Sequence, residues 1–331
     1  MLNKKKAIFG ILILGISLSL SIILGLNFLY QDNNNLEKLN FPDFITKNED
    51  YFITRISSIP QIDPNGYKLV VKGEIEHPKN FSLQELYQLN LTEIPLTTEC
   101  IGNNVNGPLI STAYWKGFNV YDLINSLGIK ENATTIRYTA ADGYYVSNTL
   151  QQVKDNGTLG ALYMNGKILP EAQGFPLRII NPGAYGAKQP AWVIEMQIIN
   201  TTLVDFWDGY GWDTSPPMPP DSIIFFPKDE VLVKVNETLT IGGAAFGGKR
   251  ISKVEYTLDR GISWSLVNII KSIDNDYVWV FWKLEIIFSE PGDYFINIKA
   301  TDIYNNTQPM IDYDRRDGTN NWPTLTISVS T

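Results

Sequence analysis

Apolar residues dominate one unbroken stretch near the start of the chain. Ala7 to Tyr30, AIFGILILGISLSLSIILGLNFLY, holds twenty-four positions without a charge and directly follows Lys4-Lys5-Lys6. As a helix rising about 1.5 Å per residue this run would reach about 36 Å, enough to cross a hydrocarbon core of about 30 Å. The lysines predict a cytoplasmic N-terminus, with everything after the run extracellular. A cleavable signal peptide is the alternative, but its apolar region would be shorter and end in a small-residue cleavage site, and no A-x-A occurs here. Seven N-x-S/T sequons, beginning at Asn80, Asn90, Asn132, Asn156, Asn200, Asn236 and Asn305, fit an exported chain. Residues 31–48, QDNNNLEKLNFPDFITKN, are polar and unpatterned and read as a linker.

Beyond residue 48 the periodicity changes. YKLVVKGEI (67–75) alternates and predicts a strand, and in the following HPKNFSLQELYQL, Ser82 and Glu85 stand at capping-box spacing for a short helix. FNVYDLINSLGI (118–129) repeats apolar residues at helical spacing and stops at Gly128, which predicts a second helix. TTIRYTAADGYYVSNTL predicts two strands joined by a turn at Asp142-Gly143. PLRIINPG and WVIEMQIIN predict two buried strands around the Gly/Pro-punctuated loop AYGAKQP. Residues 49–215 thus read as one mixed α/β domain. The proline-dense DTSPPMPPDS (213–222) interrupts the pattern, and residues 221–331 carry almost only strand signals, as in an immunoglobulin-like β-sandwich. The expected fold class is α+β, two domains behind a membrane anchor at 1–30. GAAFGGKR (243–250) nearly spells a phosphate-binding loop, but Arg250 replaces the hydroxyl residue and a strand pattern follows, so it reads as a turn.

Composition narrows the chemistry. A chain of 331 residues, 44% hydrophobic, can build two cores, and a net charge of -8 excludes a basic nucleic-acid face. One cysteine and one histidine exclude a disulfide framework, a Cys-based zinc site, a CxxCH haem attachment and a His-cluster metal site. His77, beside Pro78, reads as an exposed turn residue. The cysteine, Cys100 in LTTECIGN, is the open question, because a lone external thiol is exposed to oxidation. It can pack as a small apolar side chain, or serve as a soft ligand to a metal whose remaining donors come from a cofactor. Gly102 leaves room for the backbone to approach something bulky.

VVKGEIEHPKNFSLQELYQLNLTEIPLTTECIGN resembles the opening of the sulfite oxidase family of molybdopterin enzymes, in which L-x-C-x-G-N follows a short helix. The resemblance continues in order through LISTAYWKGFNVYDLI, ADGYYVSNTLQQV, LYMNGKILPEAQGFPLRIINPGAYGAKQPAWV and VEYTLDRGISW, and so covers nearly everything from Tyr51 onward. It implies that Cys100 ligates molybdenum, which also carries a molybdopterin dithiolene. It places the arginine that helps hold the pterin phosphate at Arg178 and the basic residue of the next loop at Lys188. It puts the arginine near the metal at Arg55, and a tyrosine near the metal at Tyr210. Gln173, at the histidine of H-G-[FY]-P, and Asp142 complete the expected cofactor contacts. The C-terminal sandwich resembles the family's dimerisation domain, which implies a homodimer.

The departures bear on substrate. Asn104 and Val105 stand where the family has arginine after C-x-G-N, Ile56-Ser57 replace Asn-His, and Ala191 replaces the lysine of a K-W pair. Sulfite is a small dianion whose pocket needs converging positive charge, so a different substrate is expected, a small oxyanion or an S- or N-oxide. The leading expectation is a membrane-anchored extracytoplasmic oxidoreductase that transfers oxygen atoms at molybdenum and exchanges electrons with a separate partner. The alternative is a metal-free cell-surface binding or structural protein that keeps the fold.

Overall fold

Lys68–Gly73 alternates, so Leu69 and Val71 are buried while Lys68 and Lys72 face solvent. The computed structural model of the chain describes residues 40–215, 217–228 and 230–331. In it, this strand pairs in parallel with Val193–Ile199 and antiparallel with Lys79–Ser82. Val193–Ile199 pairs with Thr135–Ala140, and that strand with Tyr145–Thr149, which completes a five-stranded sheet. The parallel pair approaches closely at its end. A Cβ on Gly73 would lie 2.0 Å from the Ile198 carbonyl oxygen, and φ there is +103°, so only glycine fits.

A second sheet runs antiparallel through Leu91–Glu99, Ile110–Asn119 and Leu159–Met164, with Lys167–Ile168 and Arg178–Ile180 both paired to the last. Leu69, Ile136 and Tyr138 of the first sheet share one core with Phe118, Leu162 and Ile179 of the second. Cys100 follows directly on the strand ending at Glu99, and Arg178 begins a strand of the same sheet.

The helices are short: Leu83–Tyr87, Val120–Ser126 and Leu150–Asp155. The first has the expected reciprocal capping box between Ser82 and Glu85. The second starts two residues later than its periodicity suggests, because Phe118 and Asn119 are still paired as strand. Asn119 then turns the chain, its Oδ1 accepting the Asp122 N–H at 3.0 Å. The described residues are therefore mostly strand, a narrower reading than the α+β balance expected.

In the second half, Asp221–Phe226, Thr238–Phe246, Val280–Ile287 and Asn268–Lys271 form one sheet. Val231–Lys234, Thr324–Ser330, Gly292–Asp302, Ile251–Thr257 and Ser265–Leu266 form the other. Their inner faces meet through Ile241, Trp282 and Leu284 on one side and Val254, Ile298 and Ile327 on the other, as in a sandwich. The glycine-rich GAAFGGKR segment is a strand end and its connection to the next strand, with no helix after it.

Phe44–Thr331 packs as one compact unit. Four hydrogen bonds tie the sandwich to the segment around Cys100. Thr97 N–H donates to the Tyr277 carbonyl at 2.8 Å, and Trp279 N–H donates to Thr97 Oγ1 at 2.8 Å. Ile224 N–H donates to Asn106 Oδ1 at 2.8 Å, and Arg315 Nη2 donates to Asn104 Oδ1 at 3.0 Å. The apolar run Ala7–Tyr30 lies outside the described residues, among which no helix is long and apolar enough to cross a membrane.

Candidate active site

Cys100 opens a loop that closes on itself. Its N–H donates to the Leu109 carbonyl at 3.0 Å, and its carbonyl accepts the Asn103 N–H at 2.9 Å. Asn103 is buried at the loop's centre. Its Nδ2 donates to Glu99 Oε1 at 3.0 Å and to the Gly107 carbonyl at 3.3 Å, while its Oδ1 accepts the Leu109 N–H at 3.1 Å. The thiol is thereby held at the wall of a cavity of about 270 Å³. Burial pushes its pKa up and the neighbouring Glu99 adds to this, while the Gly102 N–H and the Thr54 hydroxyl pull it back in part. A metal taking the sulfur as thiolate must therefore displace a proton. Among the described residues no group of three or more His, Cys, Asp or Glu is placed to hold a metal ion, so other donors would have to come from the cofactor.

Arg55, Asp142, Gln173 and Arg178 line the same cavity as Cys100. Arg178 Nη1 donates to the Gln173 carbonyl at 3.1 Å and to its Oε1 at 3.2 Å, and the guanidinium lies 5.3 Å from the centroid of Trp115. No carboxylate among the described residues pairs with it, and its buried Nε has no partner. Desolvation pushes its pKa down, while the phenol of Tyr51 acts in the opposite direction. A half-buried cation lining a cavity without a carboxylate to balance it among the described residues is a site suited to an anion. Gln173 is itself fixed, its Nε2 donating to the Tyr51 carbonyl at 3.1 Å. Asp142 accepts the Tyr144 N–H at 3.0 Å across its turn. Arg55 is exposed on one wall.

Two expected residues lie elsewhere. Lys188 is buried, but points away from the cavity into an ion pair with Asp205, so its charge is already neutralised and it has none left for a cofactor phosphate. Tyr210 is 71% exposed and does not line the cavity, because Trp207 and Trp212 of the same aromatic segment fill that wall. Gln189, Trp192, Trp207 and Trp212 line the cavity, although sequence reasoning singled out none of them. Their signal was adjacency: Gln189 and Trp192 follow Lys188 by one and four positions, and Trp207 and Trp212 bracket Tyr210. Arg315 left no local signal, since it reaches Asn104 from the other half of the fold.

Two buried carboxyls sit near this loop. Glu99 is pushed up to about 8 by burial, against a partial opposing effect of its Asn103 hydrogen bond. Asp221 is also pushed well up, first by burial and then by the charge of Glu99. A carboxyl with a raised folded-state pKa holds its proton more tightly in the fold. Its stabilisation is complete below the ordinary value of 4.5 and is lost as pH rises through about 8. The melting temperature of cofactor-free protein is expected to fall between pH 5 and 8, and Glu99→Gln should flatten that decline. Calorimetry across this range checks it, and an identical slope in the variant would contradict the assignment.

Known protein families match this chain in two successive parts. Residues 56–207 match the oxidoreductase molybdopterin binding domain, and residues 214–329 match the Mo-co oxidoreductase dimerisation domain. Mitochondrial sulfite oxidase of Macaca fascicularis is 28% identical over 316 residues, covering 81% of this chain and 58% of that protein. Nitrate reductase [NADH] 1 of Oryza sativa subsp. japonica is 26% identical over 339 residues, 83% of this chain and 37% of that protein. The chain thus spans less than three-fifths of the length of that sulfite oxidase. The sulfane dehydrogenase SoxCD from Paracoccus pantotrophus superimposes with a TM-score of 0.75 at 19% identity, over 88% of this chain and 85% of that one. The chain belongs to the sulfite oxidase family of molybdopterin oxidoreductases, whose cofactor is the molybdenum cofactor.

Proposed function

We propose that this chain transfers oxygen atoms in two-electron steps at a molybdenum held by Cys100. The observation that carries the reading is the convergence on one cavity of the chain's sole thiol and a half-buried guanidinium with no carboxylate partner among the described residues. Arg178 supplies positive charge for the anionic end of molybdopterin, with Gln173 holding the arginine's direction and Gln189 and Asp142 offering polar atoms on the same wall. When bound, the cofactor supplies the redox chemistry and the oxygen-atom exchange. A half-buried cation with no carboxylate partner among the described residues is costly in a protein that binds nothing there, which counts against the metal-free reading.

Arg55 is the cation left for substrate. It lines the cavity and has no carboxylate partner among the described residues, and Arg315 stands over Asn104 at the loop that follows Cys100. The remaining wall is largely apolar and aromatic, with Phe52, Ile53, Trp207 and Trp212. That lining suits an S-oxide, an N-oxide or a weakly charged oxyanion better than a sulfite dianion. The apolar run before residue 31 would anchor the enzyme with this domain outside the membrane, and electrons would pass to or from a separate protein. The C-terminal sandwich would pair two copies.

Two outcomes test this reading. Arg55→Ala is expected to raise KM for the best oxo substrate about tenfold to a hundredfold, since a lost charged hydrogen bond costs about 1.5–3 kcal/mol, with melting unchanged. A screen of S-oxides, N-oxides and sulfite with an artificial electron carrier should give a higher kcat/KM for an oxide. Sulfite as the best substrate would overturn the substrate class.

A further inference from the structure

The residues Asp205 to Thr214, DFWDGYGWDT, form a strap without strand structure, with one 3-10 turn at Asp208–Tyr210, that contributes to the wall of the Cys100 cavity. Trp207 and Trp212 project from it into the cavity wall. The Trp212 ring lies over the cysteine loop: a Cβ built on Gly102 would meet its Cη2 at 3.5 Å and Cys100 Sγ at 3.9 Å. The strap is turned tightly on itself. Gly209 N–H donates to the Asp205 carbonyl at 3.0 Å, Trp212 N–H to the Trp207 carbonyl at 3.2 Å, and Thr214 N–H and Oγ1 to Asp208 Oδ1 at 3.1 and 2.6 Å.

Phe206 N–H donates to the Tyr145 carbonyl at 3.2 Å and Asp213 N–H to the Arg316 carbonyl at 3.0 Å, and the strap's buried side-chain attachment is an ion pair. Asp205 is 2% exposed and pairs with Lys188, which is 7% exposed. Ser147 Oγ donates to Asp205 Oδ1 at 2.6 Å, and Lys188 Nζ also donates to the Ser147 carbonyl at 3.2 Å. Lys188 closes the turn Gly186–Lys188, whose Gly186 and Ala187 line the Cys100 cavity together with the strap's tryptophans. The pair itself lines a separate cavity of about 500 Å³. It therefore touches neither the thiol nor anything in the Cys100 cavity, yet each partner belongs to a segment that forms part of that cavity's wall.

We infer that Lys188 and Asp205 are positioning residues whose ion pair ties the Gly186–Lys188 turn to the Asp205–Thr214 strap and so holds Trp207 and Trp212 over Cys100. Neither residue contacts substrate or cofactor. The tie exists whether or not molybdenum is bound; its bearing on catalysis rests on the proposed function. Breaking a buried pair leaves one charge uncompensated, which should loosen the strap at its Asp205 end, where the Phe206 N–H bond to the Tyr145 carbonyl is the adjacent anchor.

Hydrogen exchange on the full chain tests the tie without any need for activity. In Lys188→Met, the amides of residues 206–214 should exchange at least about tenfold faster, while Val193–Ile199 and Asp221–Phe226 keep wild-type protection. Lys188→Arg, which can re-form the pair, should restore slow exchange, and Asp205→Asn should fall between. In cofactor-free protein, alkylation of the sole thiol should accelerate in parallel in the same order. Wild-type exchange of 206–214 in both disrupted variants overturns the inference. So does uniform acceleration across all segments, which would make the pair a general stabilising element. If exchange follows the predicted order while no variant or wild-type protein binds molybdenum, the tie stands and the proposed function fails.

Discussion

Cys100→Ser is expected to lower turnover at least about a thousandfold, about 4 kcal/mol at 1.36 kcal/mol per decade, and to leave the fold intact. The loop's shape is kept by the Asn103 hydrogen bonds and by the Cys100 backbone, none of which uses the sulfur. A hydroxyl at a half-buried cavity wall should therefore change unfolding by less than about 1 kcal/mol. It cannot replace a thiolate on a soft, high-valent metal. Turnover, metal content and melting measured together on material from a molybdopterin-competent host check this. Retained turnover would remove Cys100 from the centre of the account.

Arg178→Met carries two effects of opposite sign. In the cofactor-free protein it removes a half-buried cation whose Nε has no acceptor and which no carboxylate balances. That protein should be more stable by about 1–2 kcal/mol, within the range seen when buried charges give way to apolar groups. Cofactor affinity should meanwhile fall about a hundredfold, about 2.7 kcal/mol at 1.36 kcal/mol per decade, as expected on losing a charged hydrogen-bond donor to an anion. Thermal melts of both forms, with titration of molybdopterin release, separate the two terms. A variant destabilised without cofactor and unaffected in its retention would show that Arg178 is only a packing residue.

Much of this was legible in the sequence because it is local. The capping box at Ser82 and Glu85, the Asp142-Gly143 turn and the alternation of Leu69 and Val71 depend on neighbours a few residues apart. Cys100 stood out as a lone thiol, and Arg178 followed from the motif shared with the sulfite oxidase family. Lys188 and Tyr210 were harder, because a residue's position in a motif does not say which way its side chain points. Lys188 is turned aside by Asp205, seventeen positions later, and Tyr210 is displaced by the tryptophans on either side of it. Arg315 is 211 positions from Asn104, a contact made by packing between the two halves that no period or spacing encodes.

The central claim is a bond between the Cys100 sulfur and molybdenum. Molybdenum K-edge X-ray absorption on the cofactor-loaded enzyme measures it directly. The account predicts three sulfur neighbours, two from the dithiolene and one from Cys100, with one fewer around any metal retained by Cys100→Ser. A wild-type spectrum with two sulfurs, or one unchanged by the substitution, would contradict it.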